Sequence, residues 1–145
     1  MISVTQPVTI DNLLAQTALM AKEGYRLVQI CALVPYSLEH MVQTKGDFPV
    51  KNIPAQTAKV PLPEFEIYYS FDKEYQLINL KLNVSREQEI PSISRNFFAA
   101  FLYENEINEQ FGTKITNIAL DFKGTLYKKA QVAPYDIYAR KGGDK

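Results

Sequence analysis

The chain has 145 residues, of which 46% are hydrophobic, and its 16 basic and 16 acidic side chains give a formal net charge of zero. This composition predicts a folded domain, excludes an intrinsically disordered chain, and disfavours nucleic acid as the main partner because phosphate binding needs a basic surplus. No apolar run is long enough to span a membrane, no signal-peptide pattern opens the chain, and the one cysteine cannot form an internal disulfide, which together favour the cytosol.

The first third of the chain predicts a helix followed by a strand. Thr9 or Asp11 can cap a helix that runs to about Glu23, because apolar residues recur on one face and Gly24 follows. Residues 25–34, YRLVQICALV, are apolar on both faces, which predicts a strand in the centre of a sheet.

Two reactive side chains occur early in the sequence. Cys31 falls on the predicted central strand, where a small buried side chain is the expectation. His40, the only histidine, lies in SLEHM and is expected to be solvated or to cap a helix. The sequence has no cluster of cysteine and histidine and no glycine-rich phosphate loop. We therefore expect the isolated protein to bind no metal or cofactor stoichiometrically.

Residues 36–63 are rich in proline and show no sustained periodicity. Apart from a short helix at residues 37–42, they predict a long ordered loop. A loop of this length in a compact domain usually has a function or binds a partner, and simple mobility is the alternative interpretation.

The next segment predicts an antiparallel hairpin. Residues 64–72 alternate strictly, with aromatic and aliphatic side chains on one face, and residues 75–84 alternate in the same way. The link between them, at Asp72, Lys73 and Glu74, is short and polar, as a hairpin turn requires.

Residues 94–112, SRNFFAAFLYENEINEQFG, predict a helix of about four to five turns. Ser92 or Ser94 can serve as its N-cap, and Gly112 can end it in a left-handed conformation. Its first half is apolar around most of the circumference. We therefore expect this helix to be buried on two sides, against the sheet of this chain and against a partner.

The acidic residues of this helix are unevenly placed. Glu106 and Glu109 lie near each other and near Arg95, on a more polar side, whereas Glu104 points among apolar residues. A carboxylate there needs a partner. An intramolecular salt bridge or an exposed rim position, a basic group on another protein, and catalysis are the three interpretations.

The remaining sequence predicts a short strand at residues 115–122 and then a tail in which aromatic and basic residues alternate. The order of elements predicts an α+β fold, in which a mainly antiparallel mixed sheet packs against two main helices. We expect residues 1–127 to form a single domain and residues 128–145 to form an extended tail that only a partner orders.

Ser92, Ile93 and Ser94, followed by Y-E-N-E-I at residues 103–107 and F-G at residues 111–112, resemble the signature of the thirty-kilodalton subunit family of respiratory complex I. The match is tight over about 20 residues, and the strands at 64–84 fit it more loosely. The sequence is most similar to the form in energy-converting membrane-bound NiFe hydrogenases and formate hydrogenlyases. The H-P-D-L-R-R run that follows the glycine in respiratory complexes is replaced here by residues 115–120, which favours a hydrogenase-type complex.

This resemblance implies a non-redox structural and assembly subunit on the cytoplasmic, peripheral side of a membrane-bound complex. It would dock against the catalytic large subunit near the small iron–sulfur subunit, with the NiFe centre and the iron–sulfur clusters in those partners and no cofactor in this chain. The candidate interface residues are Ala100, Tyr103, Glu104, Glu106, Ile107, Phe111, Tyr135 and Tyr138.

Three alternatives stay open: the equivalent subunit of an NADH:quinone oxidoreductase-like complex, a stand-alone enzyme using Glu104, Glu106 or Glu109, and a generic protein-binding adaptor. The two sides of the helix also predict that Glu104→Gln impairs assembly more than Glu109→Gln, because only the first carboxylate is expected to be desolvated.

Overall fold

The structure is a computed structural model that describes residues 2–35, 64–128 and 133–136. The loop and short helix predicted between residues 36 and 63, His40 and Tyr138 lie outside the described residues. In chain order the elements are β1 (Ile2–Val8), α1 (Ile10–Lys22), β2 (Arg26–Leu33), β3 (Phe65–Lys73), β4 (Gln76–Val84), β5 (Glu89–Pro91), α2 (Ala100–Phe111) and β6 (Lys114–Thr116).

The main sheet has the strand order β1-β4-β3-β2. Strand β1 runs parallel to β4, whereas β3 is antiparallel to both β4 and β2. Strands β5 and β6 form a second, two-stranded parallel sheet. The predicted α+β class, with two helices and a mainly antiparallel mixed sheet, is confirmed.

The predicted hairpin is β3–β4. Phe65, Ile67, Tyr69 and Phe71 on one face of β3 are all buried, because this face packs in the core. On the opposite face Glu66 and Tyr68 are partly accessible and Ser70 is buried. The connecting turn places Glu74 and Tyr75 in the left-handed region, with φ of 48° and 66°. Two such residues give the turn a twist that matches the paired strands.

Strand β1 is a feature that the sequence did not predict. All of its residues except Val8 are exposed, so it lacks the alternation of apolar and polar side chains that marks a half-buried strand. Pro7 is tolerated because β1 lies at an edge of the sheet that the described residues form.

Strand β2 was predicted to be central, and this prediction is wrong for the described part of the chain. There it is an edge strand, paired only with β3, and its register shifts between Leu27 and Gln29. Cys31 is exposed instead of buried, because it faces away from the core side occupied by Ile30. The apolar residues of β2 therefore do not mean that both faces are covered.

Helix α1 closely follows its prediction. Thr9 is its N-cap, and the main-chain N–H of Thr9 donates to Asn12 Oδ1 at 2.8 Å. Leu13, Thr17 and Met20 form its buried face.

No helix in the described residues is both long and apolar enough to cross a membrane.

Helix α2 begins at Ala100, six residues later than predicted, and ends at the expected left-handed glycine, Gly112, with φ of 73°. Its N-cap is Ala99, which makes no side-chain cap. Ser92 and Ser94, the predicted caps, lie before a series of turns that leads into the helix. Their hydroxyls contact Glu104 and Ala119, so these serines join distant segments and do not cap α2.

Candidate functional site

The polar side chains of α2 each bind main-chain groups of a different segment. Glu104, Asn105 and Glu109 are buried, and Asn108 is half-buried. Each of the four contacts backbone outside the helix: between β5 and α2, in β6, or in the segment that follows β6. Helix α2 is therefore the element to which the second half of the domain is attached.

Glu104 is buried and binds the residues between β5 and α2. Its Oε1 accepts the N–H of Ile93 at 2.8 Å, and its Oε2 lies 2.5 Å from Ser92 Oγ. Burial raises the pKa of Glu104 to about 7, and the bonds from Ser92 and Ile93 act in the opposite direction. The carboxylate is thus held within this chain by neutral donors, and the predicted salt bridge or rim position is not what the structure shows.

Asn105 binds the segment after β6. Its Nδ2 donates to the carbonyl of Leu120 at 2.8 Å and to that of Phe101 at 2.7 Å, and its Oδ1 accepts the N–H of Phe122 at 2.8 Å. All the hydrogen-bonding groups of this amide are engaged. The peptide chain from Leu120 to Phe122 is consequently held against the helix.

Asn108 performs the same role for β6. Its Nδ2 donates to the carbonyl of Ile115 and its Oδ1 accepts the N–H of the same residue, both at 3.0 Å. The hydroxyl of Thr113 donates to Asn108 Oδ1 at 2.8 Å. These bonds hold the chain as it turns from the end of α2 into β6.

Glu109 was predicted to lie on a solvated, polar side, and this prediction is wrong. The residue is 2% exposed, and its carboxylate accepts the N–H of Leu126 at 2.9 Å and that of Tyr127 at 3.2 Å. Because the chain returns across this side of the helix, the side is covered. Glu104 and Glu109 are therefore both desolvated, whereas the sequence predicted this for Glu104 alone.

We expect Glu109→Gln to lower the free energy of unfolding by about 1–3 kcal/mol, because the glutamine keeps a single acceptor for two N–H donors and loses the charge that strengthens both bonds. Glu106→Gln is the matched control. Glu106 is half-buried, and its described contact is a long one, 3.4 Å from the hydroxyl of Tyr127. Equal effects of the two variants in chemical denaturation would contradict this assignment.

Four large apolar side chains in α2 and in the segments just before and after it are exposed, and we call them the apolar stripe. Phe98 and Leu102 lie one turn apart, and Leu120 and Tyr127 belong to the segments that Asn105 and Glu109 hold. Their exposed fractions are 64%, 48%, 47% and 47%. The ring of Phe101 lies 4.9 Å from that of Phe98 and 6.2 Å from that of Phe122.

The candidate interface residues fall into two groups. Ala100, Glu104 and Ile107 are buried inside this chain. Tyr103, Glu106 and Phe111 are half-buried, Tyr135 is 60% exposed, and Tyr138 lies outside the described residues. The Tyr103 hydroxyl donates to the carbonyl of Val28, so it connects α2 to β2. A partner that bound this surface would contact the second group and the apolar stripe.

Part of the predicted free tail is attached to the domain. The N–H of Tyr135 donates to the carbonyl of Gln110 at 2.8 Å, and the ring of Tyr135 packs edge-on against that of Phe111. Asp136 forms two hydrogen bonds with Arg86, whose guanidinium also lies over the ring of Phe65. Residues 133–136 of the predicted tail therefore contact the domain, and partner-dependent ordering of residues 128–145 stays a prediction.

The Arg86–Asp136 ion pair has no signal in the sequence. The two residues are fifty positions apart, and neither lies in a periodic segment. Asp136 is 3% exposed, so the pair is sheltered from water.

No group of three or more metal-binding side chains occurs among the residues that the structure describes.

A family model described as "Respiratory-chain NADH dehydrogenase, 30 Kd subunit" matches residues 15–129 of the chain. Among solved structures, the fold is similar to that of a chain in "the membrane-bound sulfane sulfur reductase (MBS), an archaeal respiratory membrane complex". The TM-score is 0.64 and the identity 16%, and the alignment covers 93% of this chain and 69% of the other. At this identity the likeness shows a shared fold. No curated protein sequence gives a significant match.

Proposed function

This chain belongs to the family of the 30-kDa subunit of respiratory-chain NADH dehydrogenase, and we propose that it is a structural and assembly subunit of a membrane-bound, energy-converting NiFe hydrogenase. In this proposal it lies in the peripheral arm on the cytoplasmic face and docks against the catalytic large subunit, near the small iron–sulfur subunit. The NiFe centre and the iron–sulfur clusters belong to those partners.

The apolar stripe is the observation that carries this proposal. Phe98, Leu102, Leu120 and Tyr127 are large apolar side chains that remain exposed although the segments around them are firmly bonded to α2. Protein interfaces are built from such rigid aromatic and aliphatic side chains surrounded by polar residues. The proposed role uses this surface to bind another subunit.

The polar residues of α2 support a structural role over a catalytic one. Glu104 is fully buried and Glu109 almost so, and both carboxylates accept main-chain N–H groups of this protein. A substrate would have to displace these bonds to reach either group. The hypothesis of a stand-alone enzyme that uses them is thus disfavoured by their geometry.

A second candidate is the equivalent subunit of an NADH:quinone oxidoreductase-like complex, which the description of the matching family favours. The segment after Gly112 favours the hydrogenase. In place of H-P-D-L-R-R it carries β6 and residues 117–120, which Asn105 and Asn108 bind to α2. The similar archaeal fold comes from a membrane-bound respiratory complex and is compatible with both candidates.

We expect Leu102→Asp to reduce co-purification with the large subunit by about tenfold or more, because a charge in the centre of an apolar interface would be desolvated without a partner. Leu19→Asp is the matched control, since Leu19 is 49% exposed on α1 and Leu102 is 48% exposed on α2. Both variants should keep the thermal stability of the original chain, because both side chains are already half in water.

The experiment is a pull-down from native membranes, with the partners identified by mass spectrometry. A NiFe large subunit among them supports the hydrogenase, and subunits of an NADH-oxidising enzyme support the second candidate. Full assembly of the Leu102→Asp chain would refute the proposed docking surface. Recovery of the chain without any oxidoreductase subunit would refute the proposed function.

A further inference from the structure

A chain of buried hydrogen bonds connects Glu104 to the segment after β6. Glu104 Oε2 lies 2.5 Å from Ser92 Oγ, which lies 2.6 Å from Ser94 Oγ. The N–H of Ala119 donates to Ser94 Oγ at 2.8 Å, and the N–H of Ser94 donates to Ser92 Oγ at 3.0 Å. Ile93 donates its N–H to Glu104 Oε1. Ser92, Ser94 and Glu104 are buried, whereas Ala119 is exposed and directly precedes Leu120 of the apolar stripe.

The direction of the hydrogen bonds among Glu104, Ser92 and Ser94 depends on the charge of Glu104. With an ionised carboxylate, Ser92 donates to Glu104, Ser94 donates to Ser92, and Ala119 donates to Ser94, so that every hydrogen has an acceptor. With a protonated carboxyl group, Glu104 donates to Ser92 and Ser92 donates to Ser94. Both serine hydroxyls then donate in the opposite direction, and the hydroxyl hydrogen of Ser94 has no acceptor on Ser92 or Glu104.

The bond to Ala119 differs in strength between these two states. In the ionised state the Ser94 hydroxyl donates towards an anion, and a hydroxyl that donates in this way becomes a better acceptor. In the protonated state it accepts two hydrogen bonds and donates none to its neighbours. The segment that starts at Ala119 and carries Leu120 is therefore held more weakly when Glu104 is protonated.

Burial raises the pKa of Glu104, and its hydrogen bonds lower it. The groups that contact its carboxylate between β5 and α2 are neutral, and the described titratable group that interacts with it from the sheet is Tyr69 on β3. The hydroxyl of Tyr69 is buried with no hydrogen-bond partner among the described residues, and burial, with the charge of Glu104, raises its pKa. Tyr69 thus stays neutral, and the charge state of this interior is that of Glu104.

We propose that Glu104, Ser92 and Ser94 form a proton-linked switch, in which uptake of one proton from water by Glu104 reverses both serine hydroxyls and weakens the attachment of the segment that begins at Ala119. The switch is a property of this chain and does not depend on the identity of the complex. Leu120 lies in that segment and belongs to the apolar stripe. A change in the protonation of Glu104 would therefore alter how firmly this part of the apolar stripe is held.

The test is a titration of the full-length chain by NMR, with 13C-labelled glutamate, from about pH 5 to about pH 9. We expect the Glu104 carboxyl carbon to titrate with a midpoint near 7. We also expect the exchange protection of the Ala119 amide to rise as pH passes through the same midpoint. Glu104→Gln mimics the protonated state and should remove this rise, whereas Glu106→Gln, on a half-buried carboxylate, should keep it.

Ser94→Ala separates the relay from simple burial. It removes a hydroxyl that supports the ionised state, so the midpoint of Glu104 should move upward, by about one pH unit.

The pH dependence of the free energy of unfolding tests the pKa of Glu104 without any variant. Between the ordinary pKa of 4.5 and the folded value of about 7, the folded chain keeps a proton that the unfolded chain has lost, so stability falls as pH rises through this window.

Three results would overturn the switch. One is a Glu104 carboxyl that titrates near its ordinary pKa or stays in one state across the whole range. Another is protection of the Ala119 amide that does not change where Glu104 titrates. The third is a Ser94→Ala chain that folds and keeps the original midpoint; if this variant does not fold, the first two measurements, made on the unaltered chain, decide the question.

Discussion

Replacing Asn105 by alanine is expected to lower the free energy of unfolding by about 3 kcal/mol, which corresponds to about 10 °C in the melting temperature. Asn105 is 2% exposed and its amide binds the carbonyl of Leu120 and the N–H of Phe122. Alanine leaves both main-chain groups without their partner in a partly buried place. A small gain in helix propensity offsets little of this loss.

Asn83→Ala is the control for this variant, because Asn83 is an exposed residue on β4. It should change the stability by no more than about 0.5 kcal/mol. Amide exchange gives the location of the damage: in the Asn105→Ala chain the N–H of Phe122 should lose protection before the strands of the main sheet do. A stability equal to that of the control would show that the segment after β6 does not depend on α2.

Asp136→Asn is expected to release the segment at residues 133–136. Breaking a buried ion pair by removing one charge costs about 3–5 kcal/mol when the other charge stays buried. Here Arg86 can regain water if the short segment detaches, so local release should precede global unfolding. The amide of Tyr135, which donates to Gln110, is the reporter of this release.

The exchange rate of the Tyr135 amide should therefore rise by about a hundredfold or more in Asp136→Asn, while α1 keeps its protection. Asp121→Asn, at an exposed position, is the control and should have no such effect. In the double variant Arg86→Gln and Asp136→Asn, two neutral side chains face each other, and the loss should be smaller than the sum of the single losses. An additive double variant would mean that the two residues act independently.

The elements that could be predicted from the sequence are those whose pattern and packing are local. Strand β3 alternates because one of its faces is core and the other is not, and Phe71 and Tyr69 follow that alternation. Helix α1 has its cap, its apolar face and its terminal glycine within a short range of residues. The position of Glu104 among apolar residues of α2 could be predicted for the same reason, although the sequence left open a salt bridge or an exposed rim position.

The errors arise where a distant segment decides the outcome. Glu109 faces the polar side of α2, but the chain at Leu126 and Tyr127 returns to cover it. Ser94 resembles a helix cap because it opens the predicted helix, yet its hydroxyl accepts the N–H of Ala119. A helical wheel contains no information about segments that come later in the chain, so neither contact could be read from it.

The parallel pairing of β1 with β4 joins two segments that are far apart in the sequence. Strands β3 and β4 are joined by a two-residue turn, and hairpins of this kind close in about 1–10 μs. Pairing Ile2 with Gln76 closes a loop of more than seventy residues, which has a much larger entropic barrier. We expect β1 to join a hairpin that already exists. Until it does, the outer edge of β4 is open, and this is the edge along which partly folded chains would associate with each other.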